Sequence, residues 1–295
     1  MARAFGKIIL AGEHAVVYGY PAIASTLNLE VRVSVKQSIS PGLVFVNPKI
    51  DPEHKSTALF EQILPKLAQL FGDRISGLEF QIESDLPGGC GLGSSAALSV
   101  ALIRSVLDFL KEFRSASEIA VMALELEKIF HGNPSGVDHT VIASEGLIWF
   151  QRGSSEKIIP KRPLNFVVTI ASPHAGTLAA VQAVRRRYEE NQAQVIGLFE
   201  EISKLTISMR VAIEQGDLSE VGQLMTQNHE ILKKLGVSTP ELDALCELAM
   251  RQGALGAKLT GAGGGGCVIA LVEDQSLFIG KTAGSLLCIL PASVG

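Results

Sequence analysis

Hydrophobic and polar positions change rhythm repeatedly along this chain. Ile8-Ile9-Leu10-Ala11 is a continuous apolar run closed by Gly12, which predicts a short buried strand. Val31–Val35 alternates apolar and polar, the period of a half-buried strand, and Leu43–Val46 starts another strand after the Pro41-Gly42 turn. Leu59, Phe60, Ile63, Leu67 and Leu70 recur at helical spacing. Leu78–Ile82 alternates again and runs directly into a glycine-rich loop. Beyond it, Ser94–Phe113 predicts a helix that is apolar along much of its length. Ser115 with Glu118 has the form of a capping box, opening a second helix that ends near Gly132. Leu147–Phe150 and Phe166–Ile170 read as strands. The segments Thr177–Tyr188, Ala193–Gln215, Leu218–Leu235 and Pro240–Gln252 read as helices. A Gly261–Gly266 turn then enters a strand at Cys267–Val272. This interspersion predicts an α+β protein without internal repeats. Strand-rich sequence gives way to helix-rich sequence near Pro163, so the expected domains are 1–163 and 164–295.

Composition narrows the functional classes. The 295 residues are 47% hydrophobic, ample for a buried core, and carry a net charge of -4. Nucleic-acid binding needs a basic face, and the one basic run, Arg185–Arg187, lies in a helical stretch and reads as a solvated face. The N-terminal apolar run is too short for a signal-peptide core or a membrane span. Cys90, Cys246, Cys267 and Cys288 are scattered, without metal-ligand spacing. A cytoplasmic protein with reduced thiols, bound to neither nucleic acid nor membrane, is the expectation.

Four segments can carry chemistry. In the first, Pro87-Gly88-Gly89-Cys90-Gly91-Leu92-Gly93-Ser94-Ser95 lies between a strand and a helix. Its glycines let the backbone approach a ligand, and the new helix directs free N–H groups and its positive dipole end at that spot, which suits phosphate. Ser94 and Ser95 add hydroxyls for phosphate oxygens or Mg²⁺. The segment lacks GxxxxGK[ST] and is not a Walker loop; the plainer alternative is a tight turn with serine as helix cap. The second is His131-Gly132-Asn133-Pro134-Ser135-Gly136-Val137-Asp138, with Glu127 in the last turn of the preceding helix. Asp138, projected by an ordered loop, is a candidate proton acceptor, and a second carboxylate a candidate Mg²⁺ ligand. Taken alone, Asp138 reads equally well as a cap. The third joins Lys7, at the edge of the apolar strand, to Glu13 and His14, donors and acceptors for a polar substrate. In isolation these read as solvated charges. The fourth, Lys258 to Cys267 with Gly261 and Ala262, demands that its backbone approach a ligand or the first loop, unless it is a flexible hairpin.

In this order, GKIILAGEHAVVYG, GLGSSAA, HGNPSGVD and KLTGAGGGG resemble the motifs of the GHMP kinases, named for galactokinase, homoserine kinase, mevalonate kinase and phosphomevalonate kinase. GEHAVVYG and HGNPSGVD are most similar to the mevalonate kinase branch. The resemblance spans Lys7 to Cys267. It implies an S5-like N-terminal domain and a ferredoxin-like C-terminal domain, with ATP between them and its phosphates under Pro87–Ser95. By motif position it implies Asp138 as catalytic aspartate, Lys7 as the lysine beside it, and Ser95 and Glu127 as Mg²⁺ ligands. It places Glu13, His14, His131, Thr177, Gly261 and Ala262 near a small-molecule acceptor, mevalonate. The family often forms dimers, so a homodimer is compatible with it. Two departures stand out. Family members often have Ala where this chain has Cys90, a thiol whose place before a helix suggests sensitivity to alkylation or oxidation. Some have Arg shortly before the threonine matching Thr177, where this chain has His174; whether His174 holds a substrate carboxylate or is a surface histidine is open. Rival readings are another GHMP kinase acting on a related hydroxy acid or its phosphate, and an inactive nucleotide sensor, which would have no use for Asp138.

Overall fold

The computed structural model describes residues 1–47, 56–132, 134–171, 177–282 and 289–294. The side chains of residues 43, 45–47, 56–60, 177, 178, 282 and 289–294 are outside that description. Among the sequence-level candidates, Asn133, His174, Cys288 and the side chains of Leu59, Phe60 and Thr177 therefore lie outside the described residues. Two compact units emerge, interleaved in sequence: Met1–Lys7, Asn28–Gly88 and Gly93–Glu145 form the first; Ile8–Leu27, Gly89–Leu92 and Gly146–Gly295 form the second.

The first unit contains the start of β1 (Ala2–Ala11), most of β2 (Ala22–Gln37), then β3 (Gly42–Asn47), α1 (Ser56–Phe71), β4 (Leu78–Ser84), α2 (Ser94–Leu110), α3 (Ala116–His131) and α4 (Val137–Ser144). β2 and β4 pair antiparallel from Val31↔Ser84 to Gln37↔Leu78, and β3 adds to β4 in parallel. Alternation along β4 buries Leu78, Phe80, Ile82 and Ser84 on one face. Helix α2 is buried at nearly every position from Ala96 to Leu107, as its apolar composition predicts, and packs against α3 and α4. It stops at Leu110 rather than Phe113, because Lys111 turns left-handed at φ 57°. The capping box of α3 forms as expected, with Ser115 and Glu118 each bonding the other's backbone N–H.

The second unit holds the opening of β2, which pairs through Ala22–Ser25 with β5 (Leu147–Gln151); β5 pairs in turn with β6 (Ser154–Lys157). It continues with β7 (Leu164–Ile170), α5 (Thr177–Glu190), α6 (Gln192–Gln215), α7 (Leu218–Leu235), α8 (Pro240–Arg251), β8 (Gly256–Thr260), β9 (Cys267–Val272), α9 (Gln275–Thr282) and β10 (Ile289–Val294). The order β10-β7-β9-β8 is antiparallel throughout. A helix-containing connection joins β7 to β8, a turn joins β8 to β9, and α9 leads to β10. That is the split βαβ arrangement of a ferredoxin-like fold. Phe166, Phe199, Ile202, Leu232, Leu259 and Val268 are fully or almost fully buried around this sheet. Arg185–Arg187 is exposed, as expected of a solvated face.

Among the described residues no helix is long and apolar enough to cross a membrane.

Candidate active site

In the first unit the glycine loop ends at Gly93, which is the N-cap of α2 in a left-handed conformation, φ 73°. Ser94 and Ser95 are the first two helical residues and neither caps the helix, so the serine-cap alternative fails. Gly93 has a second constraint. A Cβ there would stand 2.8 Å from Cγ of Lys7 and 3.4 Å from Cδ1 of Ile142. The loop thus packs its backbone onto the lysine.

Lys7 is the sixth residue of β1, inside the strand rather than at its edge, with a side chain only 3% exposed. Its Nζ lies 3.1 Å from Oδ1 of Asp138, whose side chain is 33% exposed. The reading of Lys7 as a solvated charge is overturned by this burial. Asp138 sits in the first turn of α4, behind Gly136 at φ 90°, and not in a loop. A carboxylate in that turn is favoured by the helix dipole. The ion pair therefore joins the interior of a strand to the open N-terminus of a helix.

Glu127 lies one turn inside α3, on a face that also presents His131 four residues later. Ser99 Oγ donates to Glu127 Oε1 at 3.1 Å, and Ser95 Oγ donates to Oε2 at 3.3 Å. His131 Nε2 is 3.0 Å from Ser95 Oγ and 3.7 Å from Glu127 Oε2. Burial, and secondarily the negative charge of Asp138, push the Glu127 carboxyl up to about 8. A carboxyl kept protonated by desolvation is a group that a hard cation would ionise. Ser99 belongs to no motif in the sequence, and its one signal is that it falls one turn after Ser95 on the same helix.

In the second unit Glu13 and His14 follow β1, and both are buried, so neither is a solvated charge. Glu13 forms an ion pair with Lys258 of β8, and its other oxygen accepts from Asn228 Nδ2 at 3.0 Å. Lys258 Nζ also donates to the carbonyls of Ile9 and Leu259. Thr260 Oγ1 accepts from the backbone N–H of Ile9 at 2.9 Å. His14 has φ 61°, an uncommon value for a residue with a side chain. Its Nε2 lies 2.9 Å from the carbonyl oxygen of Ala262; a carbonyl only accepts, so Nε2 carries the proton and Nδ1 is left as an acceptor. Burial drives the His14 pKa down to about 4, against the opposing effect of that bond, so the ring is neutral near pH 7.

The Gly261–Gly266 turn does approach the first loop. A Cβ on Gly261 would lie 3.3 Å from the Gly91 carbonyl oxygen, and one on Gly91 would lie 3.4 Å from that of Thr260. This close backbone packing replaces the flexible-hairpin alternative. Cys90 meets Cys267 here through a side-chain hydrogen bond. That bond holds the Cys90 thiol below the ordinary thiol range, and burial opposes it.

Among the described residues no cluster of three or more His, Cys, Asp or Glu has the geometry to cage a metal.

Comparison with known proteins gives this geometry its family. The profile of the GHMP kinases N terminal domain matches residues 58–146, and that of the GHMP kinases C terminal matches residues 209–277. A mevalonate kinase of Pyrococcus abyssi is 37% identical, over 93% of this chain and 89% of its own. Among solved structures, the L. major mevalonate kinase in complex with R-mevalonate has a TM-score of 0.87 at 29% identity, covering 99% of this chain and 94% of that one. The Methanococcus jannaschii mevalonate kinase has a TM-score of 0.83 at 30% identity, covering 99% and 97%. The chain belongs to the GHMP kinases, within their mevalonate kinase branch.

Proposed function

We propose that this chain transfers the γ-phosphoryl group of ATP to (R)-mevalonate, giving (R)-5-phosphomevalonate and ADP. The observation that carries the site assignment is the 3.1 Å contact between buried Lys7 and half-open Asp138. An aspartate carboxylate is too weak a base to strip an alcohol of its proton in the ground state. It can accept that proton late, as the loose phosphoryl transition state makes the attacking hydroxyl acidic. Asp138 therefore orients the hydroxyl and takes its proton, while Lys7 offsets the negative charge gathered there. Residues Pro87–Ser95 supply backbone N–H groups and the N-terminus of α2 to the phosphates. Most of the acceleration then comes from positioning and charge neutralisation.

Ser95 and Glu127 fit a Mg²⁺ site on the strength of the buried, cation-seeking Glu127 carboxyl. Two protein oxygens suit Mg²⁺, which completes its shell with water and phosphate rather than a protein cage. When bound, the ion neutralises charge on the β- and γ-phosphates. His131, at the end of α3, orients Ser95. Glu13, His14, Thr177, Gly261 and Ala262 are assigned to the acceptor side, with Glu13 acting through the backbone it fixes, since both its oxygens are occupied. A boundary near Pro163 keeps Lys7, the loop and Asp138 in the N-terminal part. The expected setting is cytoplasmic, and the family's frequent dimers make a homodimer the assembly to test for.

An ATPase-coupled assay with mevalonate, phosphomevalonate, galactose and homoserine tests the reading. Turnover with mevalonate alone is expected. Preference for another acceptor would reassign the substrate, and nucleotide binding without turnover on any of them would favour a sensor.

A further inference from the structure

Cys90 and Cys267 are remote in sequence, but the fold gives them a common address. Cys267 opens β9 directly across the ladder from Thr260. Gly91, next to Cys90, packs its backbone on Thr260 and Gly261. The two thiols consequently share a hydrogen bond. Cys267 is fully buried and Cys90 is 5% exposed, beneath an exposed Gly89. Cys246 provides the contrast: it is equally buried in the hydrophobic core of the second unit, and burial pushes its thiol up to about 12.

We propose that Cys90 and Cys267 are a modification site, joined by a reversible disulfide when the protein meets a peroxide. In the first step the Cys90 thiolate attacks one oxygen of hydrogen peroxide. An S–O bond forms, the O–O bond breaks, and the departing hydroxide takes up a proton to leave as water. Cys90 is now a sulfenic acid, oxidised by two electrons. The sulfur of Cys267 then attacks that of Cys90, the S–S bond forms, the S–O bond breaks, and a second water leaves with the Cys267 proton. The sum is two thiols and one peroxide giving one disulfide and two waters; a dithiol reverses it. Closure to a bond of about 2 Å requires movement of the Cys90 side chain, and it sits between Gly89 and Gly91, both at positive φ. The link would tie the glycine loop covalently to β9.

The linkage is read by mass and does not depend on the phosphotransfer assignment. The full chain, without nucleotide, is treated with a small excess of hydrogen peroxide, its remaining thiols are alkylated, and it is digested without reduction. Free thiols should fall from four to two, with the Cys90 and Cys267 peptides joined, and dithiothreitol should restore all four. Cys246→Ala should cross-link as the parent does. Cys267→Ser should instead leave a Cys90 sulfenic acid that dimedone traps. Continued alkylation of Cys90 and Cys267, a link involving Cys246 or Cys288, or a sulfinic Cys90 without any link would each overturn the proposal. The wild-type thiol map decides the matter even if a variant fails to fold.

Discussion

Lys7 and Lys258 are both buried in strands and both face a carboxylate, yet their surroundings differ in one respect that separates scaffold from chemistry. Lys258 and Glu13 are sealed, at 0% and 1% side-chain exposure. The lysine's three N–H groups have three acceptors in Glu13, Ile9 and Leu259, and both glutamate oxygens are taken. Nothing is left over for a substrate. Lys7 is nearly as buried, but its partner Asp138 is one-third exposed at the start of a helix. That carboxylate can meet a ligand while its charge stays partnered. An ion pair closed on both sides holds backbone in place; one open on a single side can also do work on a bound molecule.

The largest effect expected is on the closed pair. Lys258→Met strands the Glu13 carboxylate in a dry interior and should destabilise the protein by about 3–5 kcal/mol. Pairing it with Glu13→Leu should return a large part of that loss, because no unpaired charge remains. Chemical denaturation of the two single variants and the double variant measures the coupling. A simple sum of the two single losses would show that the pair is not the unit described.

Asp138→Asn comes next, and its signature is the reverse. The amide keeps the shape and hydrogen-bonding reach but cannot accept the proton, so kcat should fall on the order of 10³-fold, or about 4 kcal/mol. Stability should fall less than in Lys258→Met, since Asp138 is partly solvated and its amide oxygen can still accept from Lys7, although the buried ammonium loses its counter-charge. ATP affinity, followed by calorimetry, should remain near that of the parent. Near-normal turnover would sink the role assigned to Asp138.

Why the sequence exposed one pair and hid the other is a question of where the signals lie. Asp138 is announced by Gly132, Pro134 and Gly136, whose backbone demands mark a special turn. Even so, the sequence does not reveal α4, because Val137–Ser144 is short and its apolar positions give little periodicity. Strand β8, Gly-Ala-Lys-Leu-Thr, is buried at all five positions, but a glycine, a lysine and a threonine disguise it. Its burial depends on partners elsewhere in the chain: Glu13 for Lys258, the Ile9 backbone for Thr260, and helix α7, where a Cβ on Gly256 would strike the Gly222 backbone. Local periodicity carries no record of such contacts. The long amphipathic helices α6 and α7 need no distant partner to be recognised, and the expected bounds agree with the structure to within a residue. Cys90 and Cys267 likewise looked unrelated until the packing of Gly91 on Gly261 joined them.

A smaller change should perturb the open pair without touching its charges. Gly93→Ala places a methyl group 2.8 Å from Cγ of Lys7 and forces a side chain into φ 73°. The lysine side chain has to shift to make room, and its contact with Asp138 shifts with it. A displacement approaching an ångström in such a constellation can cost about 10²-fold, so kcat should drop by up to that factor while Asp138 itself is intact. Stability should fall by about 1–2 kcal/mol from the backbone strain. If kcat were unchanged while stability fell, Lys7 would be a structural cation like Lys258.

The mildest expectation concerns pH and Glu127, the acid on the open side whose burial is not matched by a lysine partner of its own. Its folded-state pKa of about 8 lies above the usual 4.5. Between those values the folded protein holds a proton that the unfolded chain has released. The resulting stability is fully present below about pH 4.5 and is lost as pH rises through about 8, at up to about 1.4 kcal/mol per pH unit. His14 works in the opposite sense: lowered to about 4, it adds stability between pH 4 and its ordinary 6.5 and is neutral in both states above that. The buried rings of His139 and His229 are lowered too, and also fall silent above their ordinary value. From pH 6.5 to 8 those three histidines are silent and Glu127 drives the decline, opposed only by Cys90, whose lowered thiol acts in the contrary sense as it ionises. In denaturation without Mg²⁺ or nucleotide, the parent should lose stability across that window, and Glu127→Gln should flatten the decline. Mg²⁺ with ATP should flatten it as well, since a cation at Glu127 and Ser95 favours the ionised carboxylate and releases its proton. An identical decline in parent and variant would place the proton elsewhere and remove the physical basis for a cation at Glu127.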